Sequence, residues 1–369
     1  MIGFCGAFDP QKRPVRFSLL KRMCGLHSAG CAFLNDGFGI LCDSLPQDDA
    51  TLQPITVSYN NSLYTAAIIS AERANTARSI LEGYFEEGED FLRRLDFPYA
   101  LALYDGRCGE LLLAKGHLGD KALFYTFKDG VLYFATSARA LFRLYGGCVK
   151  VNQNTLVRYL TGGYSSIPTD IFCDISVLKP DNSLLCNCFG HSCIPTVHTP
   201  YIDSTKSNIS PIYPEKVSQS DLRYVLHQAL FAFDYPQFDC FMPSLLPQIE
   251  RAGKGGQRHV SLCRIPDADE DYCVERAERL GQTWGLEVSV LPTVTDSCTG
   301  RELKKLEKEL DGILDEYLSA PTCILHTLSR EGVISSASDE KNVPLRIRKK
   351  GLLCQTAMWF DSFNMVLCI

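Results

Sequence analysis

No stretch of this chain approaches the roughly 20 consecutive apolar residues that a membrane span needs. The C-terminal run LLCQTAMWFDSFNMVLCI is apolar but is broken by Gln355, Asp361 and Asn364, so a buried helix or strand is expected there. The N-terminus lacks a basic segment followed by a long apolar one, and no secretory signal is expected. A basic excess is missing too: 37 Lys and Arg stand against 43 Asp and Glu, for a net charge of −6. That argues against the basic stripe of a nucleic-acid-binding protein. Neither nucleic acid nor membrane is therefore an expected partner. Cysteine itself is not scarce, but framework spacing is. The 17 cysteines are odd in number and scattered. They read as reduced thiols packed as small apolar residues in a cytoplasmic protein.

What is present suffices for real cores. Hydrophobic residues make up 46% of the 369 and charged residues 22%, the composition of an ordered chain of two or three domains. Residues 31–68 read as short strands with turns. Residues 70–95 read as helix, with Ile80-Leu81, Tyr84-Phe85 and Phe91-Leu92 at roughly helical spacing. A dense β region follows. YALALYD and ELLLAKG flank one turn, and ALFYTFK and VLYFAT flank Asp129-Gly130, a strong hairpin signal. SLLCNCF and SCIPTVH suggest a further hairpin.

Residues 200–216 are rich in Ser, Pro, Asn and Thr and read as a linker. Beyond them Leu222, Val225, Leu226, Ala229, Leu230 and Phe233 fall on one helical face. Short apolar runs, CFM and VSLC, then alternate with the helical patterns DEDYCVERAERLG and RELKKLEKELDGILDEYL, and GVISSAS reads as one more strand with its loop. This alternation suggests a doubly wound parallel α/β sheet.

The segments GEDFLRRL, ALALYD, GHLGDKALFY and LYFATS, in this order over residues 88–140, resemble the asparagine synthetase family. The resemblance implies an N-terminal αββα sandwich of the N-terminal-nucleophile amidotransferase type at 1–199. A linker at 200–216 follows, then an ATP-pyrophosphatase-like α/β domain at 217–369, shortened at its C-terminal end. In that family a cysteine follows the initiator Met, and its freed amine activates the thiol to attack glutamine. The matching residue here is Ile2, which has no nucleophile. Cys5 lies three residues on with no free amine beside it, and a buried core thiol is the expectation there. The arginine that clamps the substrate carboxylate maps loosely to Cys42, and a second basic segment maps to Arg22-Met23-Cys24-Gly25-Leu26-His27. The family's N-G-E maps to Asn60-Asn61-Ser62 and its G-S-D to Ala74-Asn75-Thr76. Asn60 and Asn61 are thus remnants of a glutamine site.

The second site is similarly altered. The family's pyrophosphate loop, S-G-G-x-D-S, maps to Met242-Pro243-Ser244-Leu245-Leu246-Pro247-Gln248. Two prolines remove N–H donors, and leucines put bulk where an anion would sit. Ser244 keeps a hydroxyl. The family's later G-x-G-x-D-E maps to Ser335 through Glu340 and keeps Asp339 and Glu340. That pair is either a remnant magnesium site or a polar loop capping the next segment. ATP and Mg²⁺ belong to the family, and no cofactor is expected here. Cys186, Cys188, His191 and Cys193 offer soft ligands at an unusual spacing for zinc, or are half-buried thiols of a hairpin. His117 reads as scaffold. The cluster Arg346-Ile347-Arg348-Lys349-Lys350 reads as a solvated surface, with an anionic partner as the alternative.

These readings imply an asparagine synthetase-like protein with eroded glutaminase and ATP sites, expected to be non-catalytic. It would serve binding, regulation or assembly, as a homo-oligomer or beside an active relative. The alternative is an ATP-dependent amide-forming amidotransferase with a redesigned site.

Overall fold

The computed structural model describes residues 3–25, 31–43, 55–59, 62–70, 77–92, 94–95, 99–116, 122–146, 148–162, 168, 170–179, 182–187, 190–195, 219–233, 235–236, 238, 246, 249–250, 252, 254, 259–263, 287–291, 300–321, 323–363 and 365–368. In chain order the first elements are β1 (Gly3–Phe8), α1 (Phe17–Cys24), β2 (Cys31–Asn35), β3 (Phe38–Asp43), β4 (Ile55–Tyr59) and β5 (Ser62–Ser70). Then come α2 (Ala77–Glu87), α3 (Glu89–Leu92), β6 (Tyr99–Asp105), β7 (Glu110–Lys115), β8 (Phe124–Lys128), β9 (Val131–Ala135) and α4 (Ala138–Phe142). β10 (Val149–Asn152), α5 (Gln153–Gly162), β11 (Ser176–Val177), β12 (Asn182–Asn187) and β13 (Gly190–Pro195) follow. The remainder comprises α6 (Gln219–Phe233), β14 (His259–Cys263), β15 (Glu287–Leu291), α7 (Gly300–Ser319), α8 (Ile324–Arg330), α9 (Val333–Ser338), α10 (Val343–Phe363) and β16 (Met365–Cys368).

Two compact units emerge: residues 1–146 with 174–206, and residues 147–173 with 207–369. The first contains two six-stranded antiparallel sheets, ordered β11-β8-β9-β1-β3-β2 and β13-β12-β7-β6-β5-β4. Strand alternation decides what each face carries. In β6, Ala100, Ala102 and Tyr104 join Leu111 and Leu113 of β7 in a core shared with Phe4, Phe8, Phe38, Ile40, Leu132 and Phe134 of the other sheet. Tyr99, Leu101 and Leu103 point the opposite way, against Ile80 and Leu81 of α2 and Leu92 of α3. Helices α1 and α4 cover the outer side of the β1-containing sheet, packing on β1, β3 and β9. The layers are therefore helix, sheet, sheet, helix, the αββα sandwich expected from sequence.

Two local features hold this arrangement. Asp129 and Gly130 adopt φ of 54° and 77°, the positive pair that a two-residue hairpin turn requires. Gly6 faces Phe134, and a Cβ there would lie 2.2 Å from the ring and 2.7 Å from the Gly39 carbonyl oxygen. Only glycine lets β1 and β9 pair at this distance.

In the second unit, Leu222, Val225, Leu226, Ala229 and Leu230 of α6 are all buried, as their spacing predicts. The C-terminal run folds as α10 followed by β16. Gln355 is fully buried within α10 and donates to the Leu226 carbonyl at 3.2 Å. Trp359 packs on Phe172 at 5.7 Å between ring centroids. Parallel pairing among the described residues occurs as two ladders, β10 with β16 and β14 with β15.

Several expectations need correction. GVISSAS is not a strand: Val333–Ser338 forms the helix α9, with Val333 and Ala337 as its buried residues, four apart. Residues 147–173, assigned from sequence to the first domain, group with the second unit. The reason is backbone pairing, since β10 is laddered to β16. Arg346, Lys349 and Lys350 do not form a solvated basic face. Arg346 grips Glu307 at 2.7 Å, Lys350 reaches Glu307 at 2.8 Å and Asp311 at 2.7 Å, and Lys349 pairs with Glu340 at 3.0 Å. Glu307 and Asp311, about 40 positions away, supply charges that a local reading does not see. Cys173 is disulfide-bonded, so the reading of every cysteine as a reduced thiol fails at that position.

Candidate functional site

The start of β1 is where the sequence resemblance locates chemistry. β1 runs between β3 and β9, with Phe4 opposite Cys42, Cys5 opposite Leu41 and Cys5 opposite Ala135 on the other side. The Phe4 amide donates to Thr136 Oγ1 at 3.1 Å, and the Thr136 amide donates to the Phe4 carbonyl at 3.0 Å. The strand is covered on both faces, and all six residues are buried. That is the pattern of a central strand in a layered fold.

The two cysteines on and beside β1 face opposite ways. Cys42 lies with Phe4 in the core between the sheets. Cys5 faces α1 and donates its thiol proton to the Leu20 carbonyl at 3.8 Å. It is 2% exposed. A hydrogen bond with the Cys24 thiol, then burial, hold the Cys5 pKa well above the usual thiol range, and Arg143 pulls weakly the other way. Arg143 donates through Nη1 to the Met23 carbonyl at 2.7 Å, so a guanidinium sits at the carboxyl end of α1. Cys24 occupies the last position of α1 and is half-buried. Two thiols, Cys5 and Cys24, and one arginine thus meet beside β1, the strand to which the family resemblance points.

The structure treats the candidate residues unequally. Ile2, Asn60, Asn61 and Ser244 lie outside the described residues, as do Leu26, His27, the Ala74–Thr76 segment, His117 and Cys188. Asp339 follows α9, and its amide donates to the Ser335 carbonyl at 2.8 Å. Glu340 is engaged: Lys349 Nζ binds one carboxylate oxygen at 3.0 Å and the Asn342 amide the other at 3.1 Å. Those bonds hold its pKa below the usual carboxylate range, the Lys349 bond first. Asn342 in turn caps α10, accepting the Leu345 amide at 3.1 Å. The Asp339–Glu340 loop therefore caps the next helix and docks the basic cluster.

In the hairpin of β12 and β13, His191 is the register partner of Cys186, and Cys193 that of Leu184. Cys186 is buried in the core between the sheets, and burial pushes its thiol up to about 11. A protonated, apolar-packed thiol is a poor metal ligand. Among the described residues no cluster of three or more His, Cys, Asp or Glu side chains could hold a metal ion, and no helix is long and apolar enough to cross a membrane.

What sequence reasoning missed here is the meeting of Cys5, Cys24 and Arg143. Cys24 was read only as one position in a degraded basic segment, and Arg143 carried no signal. Their juxtaposition depends on α1 folding back onto β1 and α4 leading Arg143 to the same end. No short motif encodes either event.

Residues 65–193 match the glutamine amidotransferase domain family. The chain is similar to asparagine synthetase [glutamine-hydrolyzing] 3 of Bacillus subtilis (strain 168), at 24% identity over 180 residues, covering 44% of this chain and 29% of that protein. It thus spans under a third of the length of that curated relative. Among solved structures it is similar to glutamine phosphoribosylpyrophosphate amidotransferase from B. subtilis complexed with ADP and GMP. There the TM-score is 0.37 at 12% identity, over 78% of this chain and 65% of that one. It is also similar to an allosteric regulatory enzyme of purine biosynthesis, with a TM-score of 0.36 at 10% identity over 81% and 61% of the two chains. The segment from β5 to β13 is thus similar to a glutamine amidotransferase domain, and the chain has weak similarity to an asparagine synthetase.

Proposed function

We propose that this protein keeps an amidotransferase scaffold without its glutaminase or ATP chemistry, and that it works by binding, regulation or assembly. The observation that carries the reading is the state of Cys5. Position 2 holds an isoleucine, so Cys5 is the thiol closest in sequence to the family's nucleophile. Its proton is engaged by a backbone carbonyl, its side chain is buried, and its pKa is raised. A thiol nucleophile needs the opposite environment, a lowered pKa beside a base. The second support comes from Glu340, whose carboxylate is already committed to Lys349 and the Asn342 amide. A carboxylate in that position holds Mg²⁺ mainly when substrate phosphates share the ion. The sequence over residues 242–248 carries two prolines and two leucines where the family's phosphate-binding segment needs free amides.

A working partner follows from the same reading: an inactive copy associates with itself or with an active relative of the same fold. The test has two arms. Ammonia release from glutamine is measured with the purified protein, and heat is measured on titration with ATP and Mg²⁺. No ammonia and no saturable heat are expected. Ammonia release that disappears in Cys5→Ser would replace this reading with that of an amide-forming amidotransferase using a redesigned site. Micromolar ATP binding would overturn the loss of the second site.

A further inference from the structure

The Cys5–Cys24 pair is not absorbed by the function proposed above, and its geometry has a chemical consequence that does not depend on whether glutamine is hydrolysed. Cys5 Sγ lies 3.8 Å from the Leu20 carbonyl oxygen. In an α-helix that carbonyl receives the amide of the residue four positions on, here Cys24. The Cys5 thiol is thus seated on the last turn of α1, on the face that Leu20 and Cys24 share by their spacing of four. Of the groups around Cys5, Cys24 does most to raise its thiol above the usual range. Their exposures differ: Cys5 is buried and Cys24 is half-buried. Neither is disulfide-bonded. Arg143 holds the Met23 carbonyl at 2.7 Å and brings a positive charge to the same helix end. The carboxyl end of a helix disfavours an anion, and the guanidinium offsets that.

We infer that Cys24 and Cys5 form an oxidisable dithiol, in which a hydroperoxide modifies the accessible Cys24 and the buried Cys5 resolves it as a disulfide. The steps balance. The Cys24 thiolate attacks the terminal peroxide oxygen, the O–O bond breaks, and the other oxygen leaves as alkoxide (hydroxide from hydrogen peroxide), which becomes alcohol or water on taking up the thiol proton. Cys24 is now a sulfenic acid. The Cys5 sulfur then attacks the Cys24 sulfur, the S–O bond breaks, and the hydroxyl leaves as water with the Cys5 proton. Two thiols have lost two electrons and one hydroperoxide has been reduced. The product ties the end of α1 to the centre of β1, so it locks the helical layer onto the sheet.

Cys42 is the internal control. It is buried on the opposite face of the sheet, in the core between the layers, and so takes no part. The folded protein is exposed to a small excess of hydrogen peroxide, alkylated with N-ethylmaleimide in denaturant, and digested with trypsin and chymotrypsin. The second protease is needed because Cys24, Cys31 and Cys42 share one tryptic peptide, residues 23–73. The expected result is joint loss of the alkylated Cys5 and Cys24 peptides and appearance of one linked peptide. A thiol reductant restores both. Cys24→Ser abolishes the link and leaves Cys5 fully alkylated, whereas Cys42→Ser leaves the link intact. Cys5→Ser, or Cys5→Ala if the serine variant fails to fold, leaves Cys24 as a sulfenic acid that dimedone traps. Absence of the linked peptide overturns the inference, as does a link from Cys24 to Cys31 or Cys42. So does equal linkage when the protein is denatured before the peroxide is added.

Discussion

Arg346 holds Glu307 through both carboxylate oxygens, Nε to Oε1 at 2.7 Å and Nη2 to Oε2 at 3.1 Å. Lys350 adds a third donor to the same carboxylate at 2.8 Å. The arginine bonds, opposed by burial and helped by Lys350, bring the Glu307 pKa down to about 2. Both partners are mostly shielded, with side chains 21% and 16% exposed. This bidentate pair staples α10 to α7 across 39 residues of sequence.

The pH dependence follows from the sign of that shift. A carboxylate whose folded pKa lies below its unfolded value stabilises the fold above the unfolded pKa, and that contribution is lost as pH falls through the folded one. Glu307→Gln is expected to lower unfolding free energy by about 2 kcal/mol at pH 7. The gap to wild type should close between about pH 4.5 and pH 2. Urea melts of both proteins across that range measure it, and a gap that stays constant with pH would remove the carboxylate from the account.

Gly6→Val tests the close approach of β1 to β9. The new Cβ meets the Phe134 ring and, more seriously, the Gly39 backbone carbonyl. An overpacking penalty of about 3 kcal/mol is expected, toward the upper end for such changes. Phe134→Leu in the same chain should not rescue it, because the carbonyl cannot move aside. Thermal denaturation of the single and double variants decides this.

Gly130→Val places a β-branched residue at φ near 77° in the hairpin joining β8 and β9. A loss of about 1–2 kcal/mol is expected. Gly130→Asn should cost much less, since asparagine tolerates the left-handed region. Chemical denaturation of the two variants side by side separates backbone strain from loss of the glycine itself.

Tyr159→Phe removes a buried hydroxyl that donates to the Pro236 carbonyl at 2.7 Å. The carbonyl loses that donor at a fully buried position. A cost of about 1–2 kcal/mol is expected. Tyr159→Leu should cost more, through the added loss of ring packing. A Tyr159→Phe protein as stable as wild type would show that the hydroxyl contributes nothing.

The amino-acid order by itself determined the local elements of this protein. The period of two in YALALYD and ELLLAKG marked strands, and it also assigned Ala102 to one face and Leu101 to the other. Asp129-Gly130 marked its hairpin because few residues accept positive φ in succession. The spacing of Leu222, Val225, Leu226, Ala229 and Leu230 marked a helix and its buried face. These are properties of neighbours, and covalent geometry enforces them over a few residues. Short runs were less legible. GVISSAS carries too few turns to show a period, so its β-branched residues suggested a strand where α9 forms. What the tertiary structure alone decided are relations between distant residues. Lys350 is a surface charge until Glu307 and Asp311 arrive beside it. Residues 147–173 follow the first unit in sequence, yet they group with the second because the β10 backbone bonds find their partners in β16. Cys5 and Cys24 are two scattered thiols among 17 until α1 folds back on β1 and seats one above the other. Backbone hydrogen bonds and ion pairs must be satisfied somewhere, and only the packed chain determines where.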